Sequence, residues 1–128
     1  MSSQENEFSG ARILVVEDEY FLASDLAEAI DGTGARVIGP TGRLNDAKEL
    51  AQSQELDMAV LDVNLRGEMV FELLDHLIDR HVPILLATGY SRAALPERFR
   101  ACHLLEKPYK IPTLLSEIGK HLNGTASV

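Results

Sequence analysis

The chain has 128 residues, 45% of them hydrophobic and 25% charged, which is the composition of one globular domain and argues against disorder. Twenty acidic residues against twelve basic ones give a formal charge of -8, so the surface repels phosphate backbones and nucleic acid is not expected as a partner. A single cysteine, Cys102, excludes a disulfide framework and a Cys-based zinc site, and no apolar run nears the roughly 18 residues of a membrane span.

Residues 1–10 are polar and read as a flexible leader without the pattern of a signal peptide, residues 11–123 as the domain and 124–128 as a tail. Ile13-Leu14-Val15-Val16 is a short β-branched run that stops at acidic residues, as a buried strand would. Phe21, Leu22, Leu26, Ala29 and Ile30 recur at helical spacing, and Gly32 and Gly34 close that helix. Val37-Ile38-Gly39 predicts a weaker strand closed by Pro40, and Leu44, Ala47, Leu50 and Ala51 share one face of a polar helix. Met58-Ala59-Val60-Leu61 is the third strand.

The second half repeats the scheme. Val70, Leu73, Leu74, Leu77 and Ile78 form the clearest amphipathic helix, followed by the strand Ile84-Leu85-Leu86-Ala87. A looser segment from Ser91 to Arg100 contains Pro96; Cys102–Leu105 predicts a fifth strand, and 111–122 a last helix. Five apolar strands alternating with helices predict right-handed βαβ units and a doubly wound parallel sheet covered on both faces.

Ligands of an open parallel sheet bind at the carboxyl ends of its strands, so the residues that follow each apolar run matter most. These are Glu17 and Asp18, then Asp62, Thr88 and Lys107. Clustered carboxylate oxygens suit Mg²⁺, which takes one or two carboxylates together with a phosphate oxygen. Asp62 could attack phosphorus as a nucleophile, with Lys107 and the Thr88 hydroxyl stabilising the oxygens.

Each residue also has a plainer reading. Glu17, Asp18 and Glu19 ahead of a helix could complement its macrodipole and cap it. Asp62 could close an Asx turn, and Lys107 beside Pro108 could be a solvated loop lysine. Matched chemistry at all four strand ends is what separates the two readings.

In order and spacing, these residues resemble the receiver domain of two-component response regulators, over about Arg12 to Leu122. The resemblance implies a flavodoxin-like strand order of 2-1-3-4-5 and Asp62 as phosphoacceptor, with Thr88 and Lys107 serving it. It implies Mg²⁺ held by Glu17, Asp18, Asp62 and the backbone carbonyl of Asn64, with Asp18 the main ligand. It also implies a cis Lys107–Pro108 bond. The donor would be a sensor histidine kinase or a histidine phosphotransfer protein, and an unknown downstream protein would read the result in the cytoplasm.

Ala87-Thr88-Gly89-Tyr90 is similar to a subgroup of often stand-alone receivers, although Ile84 and Leu86 stand where that subgroup usually carries Phe. Most receivers place Tyr or Phe three positions before the lysine, as a rotamer switch; here that residue is Leu104. Tyr90 and the loop through Arg92, Arg98 and Arg100 are the alternative relays.

Two other functions fit parts of the pattern. Asp62-Val63-Asn64 nearly mimics the two-Asp motif of haloacid dehalogenase-type phosphohydrolases, but the second carboxylate is an amide here and the chain has no room for a cap. A degenerate receiver acting only as a binding module is the other. The four histidines, His76, His81, His103 and His121, read as surface or cap residues, and Cys102, Met58 and Met69 as apolar filler.

Overall fold

The computed structural model describes residues 7–123. In chain order the elements are β1 (Arg12–Val16), α1 (Tyr20–Asp31), β2 (Arg36–Thr41), α2 (Leu44–Ser53), β3 (Met58–Leu61), β4 (Asn64–Leu65), β5 (Glu68–Met69), α3 (Phe71–Asp79), β6 (Ile84–Thr88), β7 (His103–Glu106) and α4 (Ile111–Leu122). Two 3-10 turns, Arg92–Ala94 and Glu97–Phe99, occupy the connection from β6 to β7.

Five of the strands form one parallel sheet in the order β2-β1-β3-β6-β7. Counted along the chain within that sheet, this is the expected 2-1-3-4-5. Strand residues alternate between faces. Leu14, Val16, Ala59, Leu61 and Leu86 pack with α2 and α3, while Ile13, Val15, Met58, Val60 and Leu85 pack with α1 and α4. That is why the strands read as continuous apolar runs: each face has its own helical layer.

The strand β2 does not stop before Pro40 as the sequence predicts; it runs on to Thr41 through a cis Gly39–Pro40 peptide. It lies at the edge of the sheet, where a residue without an N–H is tolerated, and its pairing with β1 shifts register between Leu14 and Val16.

The segment read as a loose leader is also partly built in. Phe8 is buried, its N–H donates to the Thr33 carbonyl at 3.0 Å, and Gly10 N–H donates to Gly34 at 3.1 Å. Gly119 on α4 lets the ring sit close: a Cβ there would stand 3.3 Å from the Phe8 ring and press on it. Residues 1–6 of the leader and the tail 124–128 lie outside the described residues.

Candidate functional site

The backbone ladder extends one residue past the strands and sets the site. Glu17 N–H donates to the Thr41 carbonyl at 2.9 Å, Asp62 N–H to Val16 at 3.0 Å, and Lys107 N–H to Thr88 at 2.8 Å. Four neighbouring strands therefore deliver Glu17, Asp62, Thr88 and Lys107 to one edge of the sheet. Asp18 follows in the turn to α1.

Each oxygen of Asp62 has a donor. Thr88 Oγ1 donates to Oδ1 at 2.6 Å, Lys107 Nζ donates to Oδ2 at 2.9 Å, and Asn64 N–H reaches Oδ1 at 3.4 Å. The last contact is the Asx turn of the plainer reading, here present together with the site. Lys107 is no solvated loop residue, since its ammonium also lies 2.9 Å from Glu17 Oε1 and 3.5 Å from Glu19 Oε1. The Lys107–Pro108 bond is cis, as the resemblance implied.

Nor do the acidic residues act as side-chain caps of α1. Glu19 occupies the N-cap position without a capping hydrogen bond, and its N–H donates instead to Glu17 Oε2 at 3.0 Å. Burial pushes the Glu17 carboxyl up from its ordinary value of 4.5, against the Glu19 N–H and Lys107, which pull it down. Burial also opposes the charge on Lys107, but hydrogen bonds to Asp62 and Glu17 outweigh it and hold that pKa above its ordinary 10.5.

Glu17, Asp18 and Asp62 each offer a carboxylate oxygen within 4.8 Å of the others. This all-oxygen donor set fits a hard divalent cation, with Asp18 the most open of the three. Lys107 and Thr88, as donors to the two Asp62 oxygens, are placed to stabilise negative charge there.

Several residues at the site were not singled out in the sequence. Gly42, in the turn after β2, packs so closely that a Cβ would meet Asp18 Cα at 2.9 Å. Arg66 faces Asp18, its Nε 3.9 Å from Oδ2. Tyr109 has a buried hydroxyl with no hydrogen-bond partner among the described residues, and burial, then the Glu17 charge, push its pKa up to about 12. Only Tyr109 left a local signal, an aromatic two residues past Lys107.

Tyr90, expected as a relay, is tied to the site. Its N–H donates to Thr88 Oγ1 at 3.3 Å, and its phenol accepts from Asn64 Nδ2 at 3.2 Å while facing Met69 Sδ. Asn64 thus spends its side chain on Tyr90 and the Gly67 N–H, not on acid–base chemistry. Met69 packs against the core as expected and also faces that phenol; Met58 is core.

Arg92, Arg98 and Arg100 are not free loop residues. Arg98 makes a two-pronged pair with Asp75, Arg92 donates to the carbonyls of Arg100 and Cys102, and Arg100 donates to that of Leu95. Of the histidines, His81 is exposed just past the end of α3, as expected. His103 and His121 meet edge to face at 4.3 Å, and the Nε2 atoms of His76 and His121 are buried without a hydrogen bond among the described residues.

The profile of the response regulator receiver domain matches residues 13–119, and the chain belongs to that family. Members of this family are phosphoacceptor signalling proteins and not enzymes in the ordinary sense, which sets aside the phosphohydrolase reading. The transcriptional regulatory protein PdtaR of Mycobacterium tuberculosis is 31% identical over 111 residues, covering 84% of this chain and 54% of that protein. The chain thus spans about half the length of that curated relative. The solution structure of SdrG from Sphingomonas melonis superposes with a TM-score of 0.71 at 30% identity, covering 95% of this chain and 99% of that one. A CheY-like receiver from Methanospirillum hungatei, 20% identical, shares the fold with a TM-score of 0.80, covering 91% of this chain and 97% of the other. No helix among the described residues is long and apolar enough to cross a membrane.

Proposed function

We propose that Asp62 accepts a phosphoryl group from a phosphohistidine, carried by a sensor histidine kinase or a histidine phosphotransfer protein. One observation carries this reading: the Asp62 carboxylate, at the end of the central strand, is held by Thr88 on one oxygen and Lys107 on the other, with Glu17 and Asp18 beside it.

In the transfer, an Asp62 oxygen forms a bond to phosphorus and the phosphorus–nitrogen bond breaks, its electron pair leaving on the imidazole. Lys107 and Thr88 are placed to hold the phosphoryl oxygens once the group arrives. Asp18, Asp62, Glu17 and the Asn64 backbone carbonyl are the groups that would hold Mg²⁺. Bound there, the ion supplies charge neutralisation at the phosphoryl oxygens.

In the cytoplasm, the receiver would signal through changed affinity for a downstream protein. The contacts of Tyr90 with Thr88, Asn64 and Met69 support an output through the loop after β6. A degenerate binding module has no observation in its favour.

The test is incubation with acetyl phosphate and Mg²⁺ followed by intact mass measurement. The chain is expected to gain one phosphoryl group, and to gain none in EDTA or as Asp62→Asn. A gain that survives Asp62→Asn overturns the assignment.

A further inference from the structure

Past Asp62 the chain folds into the small antiparallel ribbon of β4 and β5. Arg66 and Gly67, with φ of 53° and 95°, form its left-handed two-residue turn. The base of the ribbon is pinned on both sides: Leu65 is buried, Asn64 Oδ1 accepts from Gly67 N–H at 2.6 Å, and Asn64 Nδ2 donates to Tyr90. The tip residue Arg66 is thereby carried over the acidic edge of the sheet.

Lys107 serves Glu17, Asp62 and Glu19, whereas the cation that faces Asp18 is Arg66. The Arg66 side chain is 81% exposed, and the Asp18 carboxylate 3.9 Å away is 17% exposed. An exposed pair at that distance is weak and screened by salt, so solvent can replace it readily.

We propose that Arg66 is a displaceable counter-charge for Asp18, pairing with its carboxylate and competing with a divalent cation for it. The inference rests on the reading of Glu17, Asp18 and Asp62 as a cation site. A dication at Asp18 and a guanidinium 3.9 Å from the same oxygen repel each other, so occupancy by one requires the other to leave. The ribbon allows this without moving the site. Its base stays pinned by Asn64, while the exposed Arg66 side chain is free to swing into solvent, out of the groove it lines with Asp18, Gly42, Arg43 and Glu68. Arg66 therefore sets how tightly the site takes its metal, and makes that affinity depend on ionic strength.

The experiment is a Mg²⁺ titration of the full chain followed by amide NMR shifts, at low and at high salt. Arg66→Asn, which a left-handed backbone accepts, and Arg66→Gln are compared with wild type, Arg43→Gln and Asp18→Asn. Both Arg66 variants are expected to bind Mg²⁺ about twofold to fivefold more tightly at low salt, the weight of an exposed ion pair, with the gain fading at high salt. Arg43→Gln is expected to gain less. Equal affinity in the Arg66 variants and wild type, or an equal gain from Arg43→Gln, overturns the role of Arg66 while the cation site stands. Unchanged binding in Asp18→Asn overturns the cation-site reading itself, and the inference falls with it.

Discussion

Lys107→Met removes the ammonium that touches both Glu17 and Asp62 while keeping most of the apolar stem. Those two residues are only 3% and 8% exposed, and their carboxylate oxygens lie within 4.8 Å of each other. Two unit charges so placed repel by about 3.5 kcal/mol at an effective dielectric constant near 20. Relaxation toward water lowers that figure and the two lost hydrogen bonds raise it, so the expected loss is about 2–3 kcal/mol near neutral pH. In a domain of this size each kcal/mol moves Tm by about 4 °C, which puts the variant roughly 8–12 °C below wild type.

The loss carries a pH signature. Glu17 is already raised by burial, and a carboxyl raised in the folded state contributes stability that is complete below its unfolded value and lost as pH rises through its folded value. Without Lys107 the Glu17 carboxyl moves further up, so the deficit is largest at mildly alkaline pH and shrinks on acidification. Thermal melts followed by circular dichroism from mildly alkaline pH down toward the carboxylate range measure it. A variant as stable as wild type, or a deficit that does not change with pH, would refute the reasoning.

Gly42→Ala forces a Cβ to within 2.9 Å of Asp18 Cα, so it is expected to cost about 1–3 kcal/mol and to weaken Mg²⁺ binding; unchanged Tm and affinity would show slack in that turn. Tyr109→Phe deletes a buried hydroxyl with no partner among the described residues and is expected to raise stability by about 1 kcal/mol, or Tm by about 4 °C; a lower Tm would show that the hydroxyl has one. Phosphorylation of Asp62 is expected to change amide hydrogen exchange in residues 89–100. A fully phosphorylated chain with unchanged exchange there would leave the loop without a role in output.

What could be read in the sequence was whatever neighbours along the chain determine. The five apolar runs announced the strands, and Glu17, Asp18, Asp62, Thr88 and Lys107 stood out because each sits at or just past the end of one. Contacts across the fold left no such mark. Nothing near Gly42 says that it lies under Asp18, and nothing near Gly119 says that it seats Phe8. The ribbon of β4 and β5 has two residues per strand, too few to show a period, and its turn is Arg66-Gly67 rather than an Asn-Gly signal. Pro40 announced the end of β2 because the edge position that tolerates it exists only in the assembled sheet.

The absence of an aromatic residue at Leu104 takes on meaning from the connection that precedes it. Leu104 is half-buried and packs against the layer of α2 and α3, with no polar tip to exchange between environments. The two turns before it are anchored on that layer: Leu95 and Phe99 are buried, Phe99 stacks on Phe71 at 5.4 Å, and Arg98 holds Asp75. Arg92 and Arg100 tie the same stretch to its own carbonyls, so it is built to move as a unit. Between this unit and the site stand Gly89, where even a Cβ would meet nothing, and Tyr90. A shift of the Thr88 hydroxyl toward a group on Asp62 would therefore meet its first resistance at Tyr90. From there it divides, through the Tyr90 phenol to Asn64 and Met69 of the ribbon, and through the backbone to the anchored turns. The ribbon carries Arg66 over Asp18 on one side, and the turns carry Arg98 onto α3 on the other. In this chain the aromatic group tied to Thr88 lies just after β6, and the surfaces it can move are the ribbon and the β6–β7 connection.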